Sequence, residues 1–343
     1  MNTDKKPRAL IAMSGGVDSS VAALLAMRMG YECVGVTMKL YAEAEGAGRV
    51  ADQLNIRHIT VDFSDGFRKF VVEPFVASYG AGETPNPCTL CNRYIKFGLL
   101  YDYALANGFD KLVTGHYAKI EGSRLCRAAD LRKDQSYFLY GLAPEKLGLI
   151  MFPLGDMTKD EVRALAAEAG FENAGARESQ DICFIPEGGY AEFISNYRAA
   201  PGKAGNFVDG EGRVLGRHCG IERYTIGQRR GLGIAVGHPI FVKEIRPDTG
   251  EIVLADEHDL FASRIVIADV NLLSEMPDRA DIMIRYNAKP SRASVRLTES
   301  GTIAAEFDGP VRAPAKGQAA VMYDGNYVIG GGRIADTGGE ENV

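Results

Sequence analysis

The apolar positions of this chain follow two periods, and the change from one to the other divides it. In the first two hundred residues, "ALIAM" (9–13), "YECVGVTMKL" (31–40) and "RHITVDF" (57–63) are short apolar, β-branched runs that read as strands. Between them, "SSVAALLAMRMG", closed by Gly30, and "EGAGRVADQLN" carry helical spacing. A further helix is expected over about Asp65 to Tyr79; "CNRYIKFGLLYDYALANG" (91–108) is helical in spacing and "DKLVTGH" (110–116) is another strand. "MTKDEVRALAAEAG" predicts a helix with Thr158 as N-cap, Glu161 completing a capping box and Gly170 at its end. Strands alternating with helices predict an α/β domain built on a doubly wound parallel sheet, with ligands at the carboxyl ends of the strands.

Past about Pro201 the pattern becomes short alternating strands broken by Gly, Asp and Pro, as in "GNFVDGEGRVLGRH" and "IFVKEIRPDTGEIVLA". The expected organisation is a nucleotide-binding catalytic domain over 1–200, a small central domain over 201–260 and an all-β, barrel-like domain over 261–338.

At 343 residues, 46% of them hydrophobic and 24% charged, the chain has material for more than one core. It holds no apolar run of about 18 residues and no leader-like N-terminus, so a cytoplasmic, non-membrane protein is expected. In that compartment six cysteines do not form a disulfide framework and must be judged singly. The net charge of −6 excludes a uniformly basic surface but not a local one. "IRYNAKPSRASVR" (284–296) gathers Arg285, Lys289, Arg292 and Arg296 with no acid among them, and reads equally well as an ordinary exposed strand pair.

Two motifs carry chemistry. "SGGVDSS" stands between a strand and a helix, where backbone N–H groups and the helix dipole bind anions. Gly15 and Gly16 allow close approach, Ser14, Ser19 and Ser20 add hydroxyl donors, and no Lys follows, so the loop is not a Walker A motif. Its composition suits pyrophosphate, with Asp18 available to a magnesium ion. "TPNPCTLCN" spaces Cys88 and Cys91 as metal ligands or redox partners, yet there is no second Cys pair for a closed zinc site. Cys183, in "SQDICFIP", reads from its surroundings as a core thiol more readily than as a reagent; Cys33, Cys126 and Cys219, inside strand-like runs, read as core more strongly still.

In order and spacing, "MSGGVDSS", "TPNPCTLCNRYIKF", "TGHYAKI", "KDQSYFLY", "SQDICFI", "YTIGQRRGLGI" and "RY…KGQAAVMY" resemble the bacterial tRNA-specific 2-thiouridylase family of the PP-loop ATP pyrophosphatases, over essentially the whole chain. The resemblance implies ATP-dependent replacement of the C2 oxygen of the wobble uridine of tRNA by sulfur, with ATP and magnesium as cofactors and tRNA and a sulfur-donor or relay protein as partners. It implies an ATP site on Ala12, Met13, Ser14, Gly15, Gly16, Val17, Asp18 and Ser19, with Met38 and Gly115 on the adenosine. Cys91 would be catalytic and Cys183 would carry a persulfide, the two joining in a transient disulfide. Asn86, Pro87 and Cys88 would meet the target base; His116, Lys133, Asp134, Gln135, Arg285, Tyr286 and Gln318 would contact tRNA.

The chain departs from the family pattern at two points. Cys88 stands where many members have Asp, and "KLYAEAEGAGRV" (39–50) is shorter than usual. A third cysteine opens an alternative to the persulfide: a [4Fe-4S] cluster on Cys88, Cys91 and Cys183 with one iron free to hold sulfide. Two other functions fit parts of the sequence, a PP-loop enzyme that adenylates a small metabolite and a non-catalytic tRNA-binding module. The first leaves the cysteines and the β domains without a purpose; the second leaves the loop and the cysteines so.

Overall fold

A computed structural model describes residues 6–41, 46–175, 182–186, 189–199 and 202–338. The polar run before Cys183, the boundary at Pro201 and part of the shortened 39–50 loop lie outside them.

The strands β1 (Arg8–Ala12), β2 (Glu32–Lys39), β3 (Arg57–Asp62), β4 (Lys111–Val113) and, after β5 (Lys119–Glu121) and β6 (Arg124–Cys126), β7 (Ile150–Met151) are the N-terminal strands. Five of them form a parallel sheet in the order β3-β2-β1-β4-β7. Both faces are covered at the centre of the sheet, which is why β1 and β2 are apolar through their middles rather than alternating, whereas the edge strand β3, RHITVD, is only partly buried. Leu10, Val36 and Leu112 point into one core with Phe97 and Leu100. Ala9, Ile11 and Val113 point into the other, against Val21, Ala22 and Ala26 of the helix Val17–Arg28. That helix ends as Gly30 takes φ of +90°. The capping box forms as expected: Thr158 Oγ1 accepts from Glu161 N–H at 3.3 Å, and the Glu161 carboxylate accepts from Thr158 N–H at 2.7 Å.

The helix expected over 65–79 is present, but its middle, Arg68–Val72, is π-helical, as is Cys91–Leu99. The strand expected over 110–116 stops at Val113, because the chain leaves the sheet there and brings Gly115 and His116 to the cavity described below.

The C-terminal half is all β. Strands β8 (Gly205–Val208), β9 (Val214–His218), β10 (Phe241–Arg246) and β11 (Glu251–Ala255) make a small sheet ordered β10-β11-β8-β9. Strands β12 (Phe261–Leu272), β13 (Arg279–Met283), β14 (Ser291–Leu297), β15 (Ile303–Arg312), β16 (Ala319–Asp324) and β17 (Tyr327–Asp336) follow in the order β12-β15-β14-β13-β16-β17, and pairing of β12 with β17 closes them into an antiparallel barrel. The closing seam needs small residues: a Cβ on Gly330 would strike the Asn271 carbonyl oxygen, and one on Gly332 that of Ala268. The hairpin β5–β6, from the first half of the chain, extends this sheet where Cys126 pairs with Tyr327.

Cys33 and Cys126 are core thiols, and burial pushes Cys33 up to about 11. Cys219 corrects the core expectation: it is exposed, because β9 ends at His218, whose ring turns inward against Phe207 and Tyr224.

His58, His116 and His218 all sit below the ordinary imidazole range, with burial the largest cause in each. The unfolded chain therefore binds more protons than the folded one as pH falls through about 6.5, and folding stability is lost in that direction. A melting temperature that drops between pH 7 and pH 5.5 is the expected result; a flat profile would show that these rings are protonated equally in both states.

Candidate active site

The loop between β1 and the helix Val17–Arg28 forms a cradle. Gly15 takes φ of +80°, a left-handed value that favours glycine, whereas Gly16 is extended at φ −81°. A Cβ on Gly16 would meet nothing nearer than Ser14 Oγ at 3.5 Å, so the protein leaves room there. Ser14 and Ser19 line the cavity, but Ser20 departs from expectation. It is fully buried, donates to Gly16 O at 3.0 Å and accepts from the Asn173 amide at 3.0 Å, so it braces the loop from behind. Asn173 also donates to Gly15 O at 2.7 Å. Gly115 is required for packing as well as position: a Cβ there would sit 2.8 Å from Asp18 C and Ser19 N.

Asp18 Oδ1 receives Lys159 Nζ at 2.6 Å and the Tyr117 hydroxyl at 2.8 Å. Neither partner was legible in the sequence as part of a site. The capping box marked Lys159 only as a first-turn residue, and Tyr117 lay inside a motif with no assigned role.

A cavity of about 530 Å³ opens from this loop. Ala12, Met13, Ser14, Asp18 and Ser19 line one side and Met38 and Gly115 the strand ends. Pro87, Cys88, Cys91 and Cys183 line the other side, so the two motifs face one space. Asn86 lies outside that lining, its side chain bonded to the Tyr137 phenol. Cys88 and Cys183 are exposed and Cys91 is buried, which corrects the core reading of Cys183.

Lys96, missed in the sequence, stands in the same cavity. It lies five residues after Cys91 within the π-helical stretch, whose i→i+5 bonds set residues five apart on one side. Burial pushes the Cys91 thiol up to about 12; Cys88 and Cys183, exposed in part yet set in the cavity wall, are raised by the same desolvation, and the Lys96 ammonium opposes the rise in all three. Lys96 Nζ also lies 3.3 Å from His116 Nε2, and His116 Nδ1 lies 2.7 Å from Thr114 Oγ1. Burial first, and Lys96 second, hold His116 well below its usual range. An ammonium can only donate, so Nε2 accepts and the ring proton sits on Nδ1.

The barrel grips the proline-rich turn that carries the cysteines. Thr84 N–H donates to Lys316 O at 2.8 Å, Gln318 Nε2 donates to Thr84 O at 2.9 Å, and Arg333 pairs with Glu83 at 3.0 Å. Of the residues expected to touch tRNA, Gln135 and His116 reach the cavity, and Tyr286 packs on Phe138 with ring centres 4.4 Å apart. Asp134 is buried, accepting from Ala128 N–H, Ser136 N–H and Ser136 Oγ and paired with Arg127 at 3.3 Å, so its carboxylate is occupied in the fold. Arg285 is partly buried and donates to Arg312 O at 2.7 Å. The basic stretch around it is less bare than its sequence suggests, since Arg292 meets Asp281 of the neighbouring strand at 3.6 Å.

Neither metal expectation finds a prepared site. Among the described residues no group of three or more His, Cys, Asp or Glu side chains is disposed to hold a metal ion, although Cys88, Cys91 and Cys183 share the cavity. Asp18 bonds an ammonium and a phenol through Oδ1 and lines the cavity.

Residues 7–187 match the family model described as a tRNA methyl transferase HUP domain, 191–256 a tRNA methyl transferase PRC-barrel domain and 262–334 an aminomethyltransferase beta-barrel domain. The chain is 42% identical over 353 residues to the tRNA-specific 2-thiouridylase MnmA of Clostridium botulinum, covering 96% of this chain and 98% of that one. It is 43% identical over 355 residues to the protein of the same name in Clostridium perfringens, with 96% and 98% covered. Among solved structures, a 4-thiouridine synthetase in complex with RNA and ATP matches at 20% identity and a TM-score of 0.40, over 53% of this chain and 46% of that one. With the relatives matched end to end, the chain belongs to the tRNA-specific 2-thiouridylase MnmA family.

Proposed function

We propose that the protein replaces the C2 oxygen of the wobble uridine of tRNA by sulfur at the expense of ATP. The observation that carries this reading is the single cavity faced by the anion-binding loop and by three cysteines. Uracil oxygen is a poor leaving group. Attack of the C2 oxygen on the α-phosphorus of ATP releases pyrophosphate into the loop and turns that oxygen into part of AMP. ATP arrives as its magnesium complex, and no step is assigned to a protein-bound ion.

The sulfur step is written through Cys183. A donor or relay protein leaves a persulfide on its thiol, which the exposed position of Cys183 permits. The terminal sulfur, as an anion, attacks C2; the C2–O bond breaks and AMP departs. Cys91 then attacks Cys183 Sγ, breaking the bond to the transferred sulfur and leaving thiouridine and a Cys91–Cys183 disulfide. Two thiols are oxidised as the sulfane sulfur is reduced, and a dithiol reductant restores them. Because the three cysteines are not disposed as a metal set, no step runs through a cluster.

The tRNA would lie across the barrel-clamped turn, with Pro87, Cys88 and Asn86 about the everted base and Lys133, Gln135, Arg285, Tyr286 and Gln318 along the strand. No described helix is long and apolar enough to cross a membrane. Replacing Arg285 and Lys133 together is expected to lower the slope of log affinity against log salt by about one per lost phosphate contact. An unchanged slope in filter binding would remove both from the interface. The reading itself is tested by pyrophosphate release, which should require tRNA; release with a small metabolite and no tRNA would favour the alternative PP-loop chemistry.

A further inference from the structure

No step of the proposed chemistry uses "YTIGQRRGLGI" (224–234), which lies between β9 and β10 of the small sheet. Around it the chain is locally basic. Between 213 and 243 stand Arg213, Arg217, Arg223, Arg229, Arg230 and Lys243 against a single acid, Glu222, which is buried. Arg213 and Lys243 meet carboxylates, whereas among the described residues the exposed Arg217, Arg223, Arg229 and Arg230 have none within ion-pair distance.

Residues 229–240 form no helix or strand, yet the loop is held. Gln228 accepts from Thr225 N–H at 3.1 Å and donates to Arg230 O at 2.9 Å, and Gly231, Gly233 and Gly237 take φ of +76°, +69° and +82°. Ile234 packs onto Gly216 of β9, where a Cβ would strike it. Among the described residues no backbone N–H from 229 to 240 donates to another backbone group, so the amides of the exposed Gly231, Gly233 and Gly237 face solvent. The loop surrounds a cavity of about 500 Å³ lined by Arg229, Leu232, Ile234, Val236, His238 and Ile240.

The loop starts against the barrel. Gly227 N–H donates to Val242 O at 2.7 Å, and a Cβ on Gly227 would lie 2.9 Å from Ala313 Cβ and 3.7 Å from Arg312 Nη1. Arg312 is the residue whose carbonyl holds Arg285, so the basic surface proposed for tRNA on the barrel continues into this loop. Guanidinium groups beside unpaired amides on a glycine-rich turn suit phosphate oxygens.

We propose that residues 229–240 form a second grip on tRNA, in which Arg229, Arg230 and the glycine amides hold backbone phosphates away from the modified nucleotide. The inference rests on the reading of tRNA as the substrate. It adds a contact that reads no base and takes no part in either chemical step.

The test is filter binding of tRNA across a salt series, with the full-length protein, Arg229→Gln/Arg230→Gln and Arg229→Lys/Arg230→Lys. The glutamine variant should bind about tenfold more weakly at low salt, and its slope of log affinity against log salt should be lower by about two, one per lost phosphate contact. The loss should be equal for a tRNA whose wobble base is not uridine. The lysine variant should keep the slope, and the glutamine variant should release pyrophosphate with the wild-type kcat and a raised KM for tRNA. Both side chains are exposed, so the melting temperature should not change. Wild-type affinity and slope in the glutamine variant would overturn the proposal. So would normal tRNA binding joined to a loss of sulfur delivery from a persulfide-bearing donor protein but not from inorganic sulfide, which would assign this face to an acidic protein. A wild type that binds no tRNA at all overturns the substrate reading, and this inference with it.

Discussion

Cys183→Ser should end thiouridine formation while tRNA-dependent pyrophosphate release continues. The loop and the thiol face the same cavity, but they serve different steps. Serine can neither carry a persulfide nor close a disulfide, so the loss should reach the background, about a thousandfold or more below wild type. Cys91→Ser should be as inactive over repeated turnovers, and with persulfide-loaded protein the product should remain joined to Cys183. Cys88→Ser, by contrast, should keep most of its thiolation, because the persulfide route leaves that thiol without a step. Nucleoside analysis of the product tRNA, run beside a pyrophosphate assay, separates the two halves. If fully active protein purified without oxygen contains about four irons per chain, and Cys88→Ser loses both iron and activity, the cluster route replaces the persulfide one.

The second large effect is expected at Gly16. Nothing in the protein lies closer than 3.5 Å to a Cβ at this position, and its backbone is extended rather than left-handed, so Gly16→Val should fold. The added methyl groups would enter the space that the loop leaves for pyrophosphate. Pyrophosphate release should fall by about a thousandfold, the scale of losing a pre-organised anion site, with melting temperature and circular dichroism close to wild type. Near-normal release by a folded Gly16→Val protein would mean that the phosphates bind elsewhere. Gly115→Ala makes an instructive contrast: its Cβ would press on the Asp18 and Ser19 backbone, so there the fold should suffer along with activity.

The Gly16 effect was foreseeable because the loop carries its chemistry locally, whereas the role of Cys183 came only from the resemblance of the whole chain. Four of the five strands of the parallel sheet were legible as short apolar, β-branched runs, but the two-residue edge strand β7 was not. Other features depend on distant pairings. Closure of the barrel requires Ile267 on β12 to meet Ile334 on β17, a pairing that no local pattern marks. The π-helical turns that set Lys96 beside Cys91 leave no trace in an apolar period read at 3.6 residues. Lys159 looked like an ordinary first-turn residue of an amphipathic helix; its partner Asp18 is 141 positions away in the chain. Cys183 was misjudged for the opposite reason. Its apolar neighbours Phe184 and Ile182 do join a core, but the thiol between them turns to the cavity.

The most direct test of the proposed activity is mass spectrometry of tRNA incubated with the protein, ATP, a persulfide donor and a dithiol. Digestion should yield an oligonucleotide that spans the anticodon and is heavier by the exchange of one oxygen for sulfur, with 2-thiouridine at the wobble position and one AMP formed per sulfur transferred. AMP formed without any sulfur gain in the tRNA, or sulfur at a different nucleotide, would contradict it.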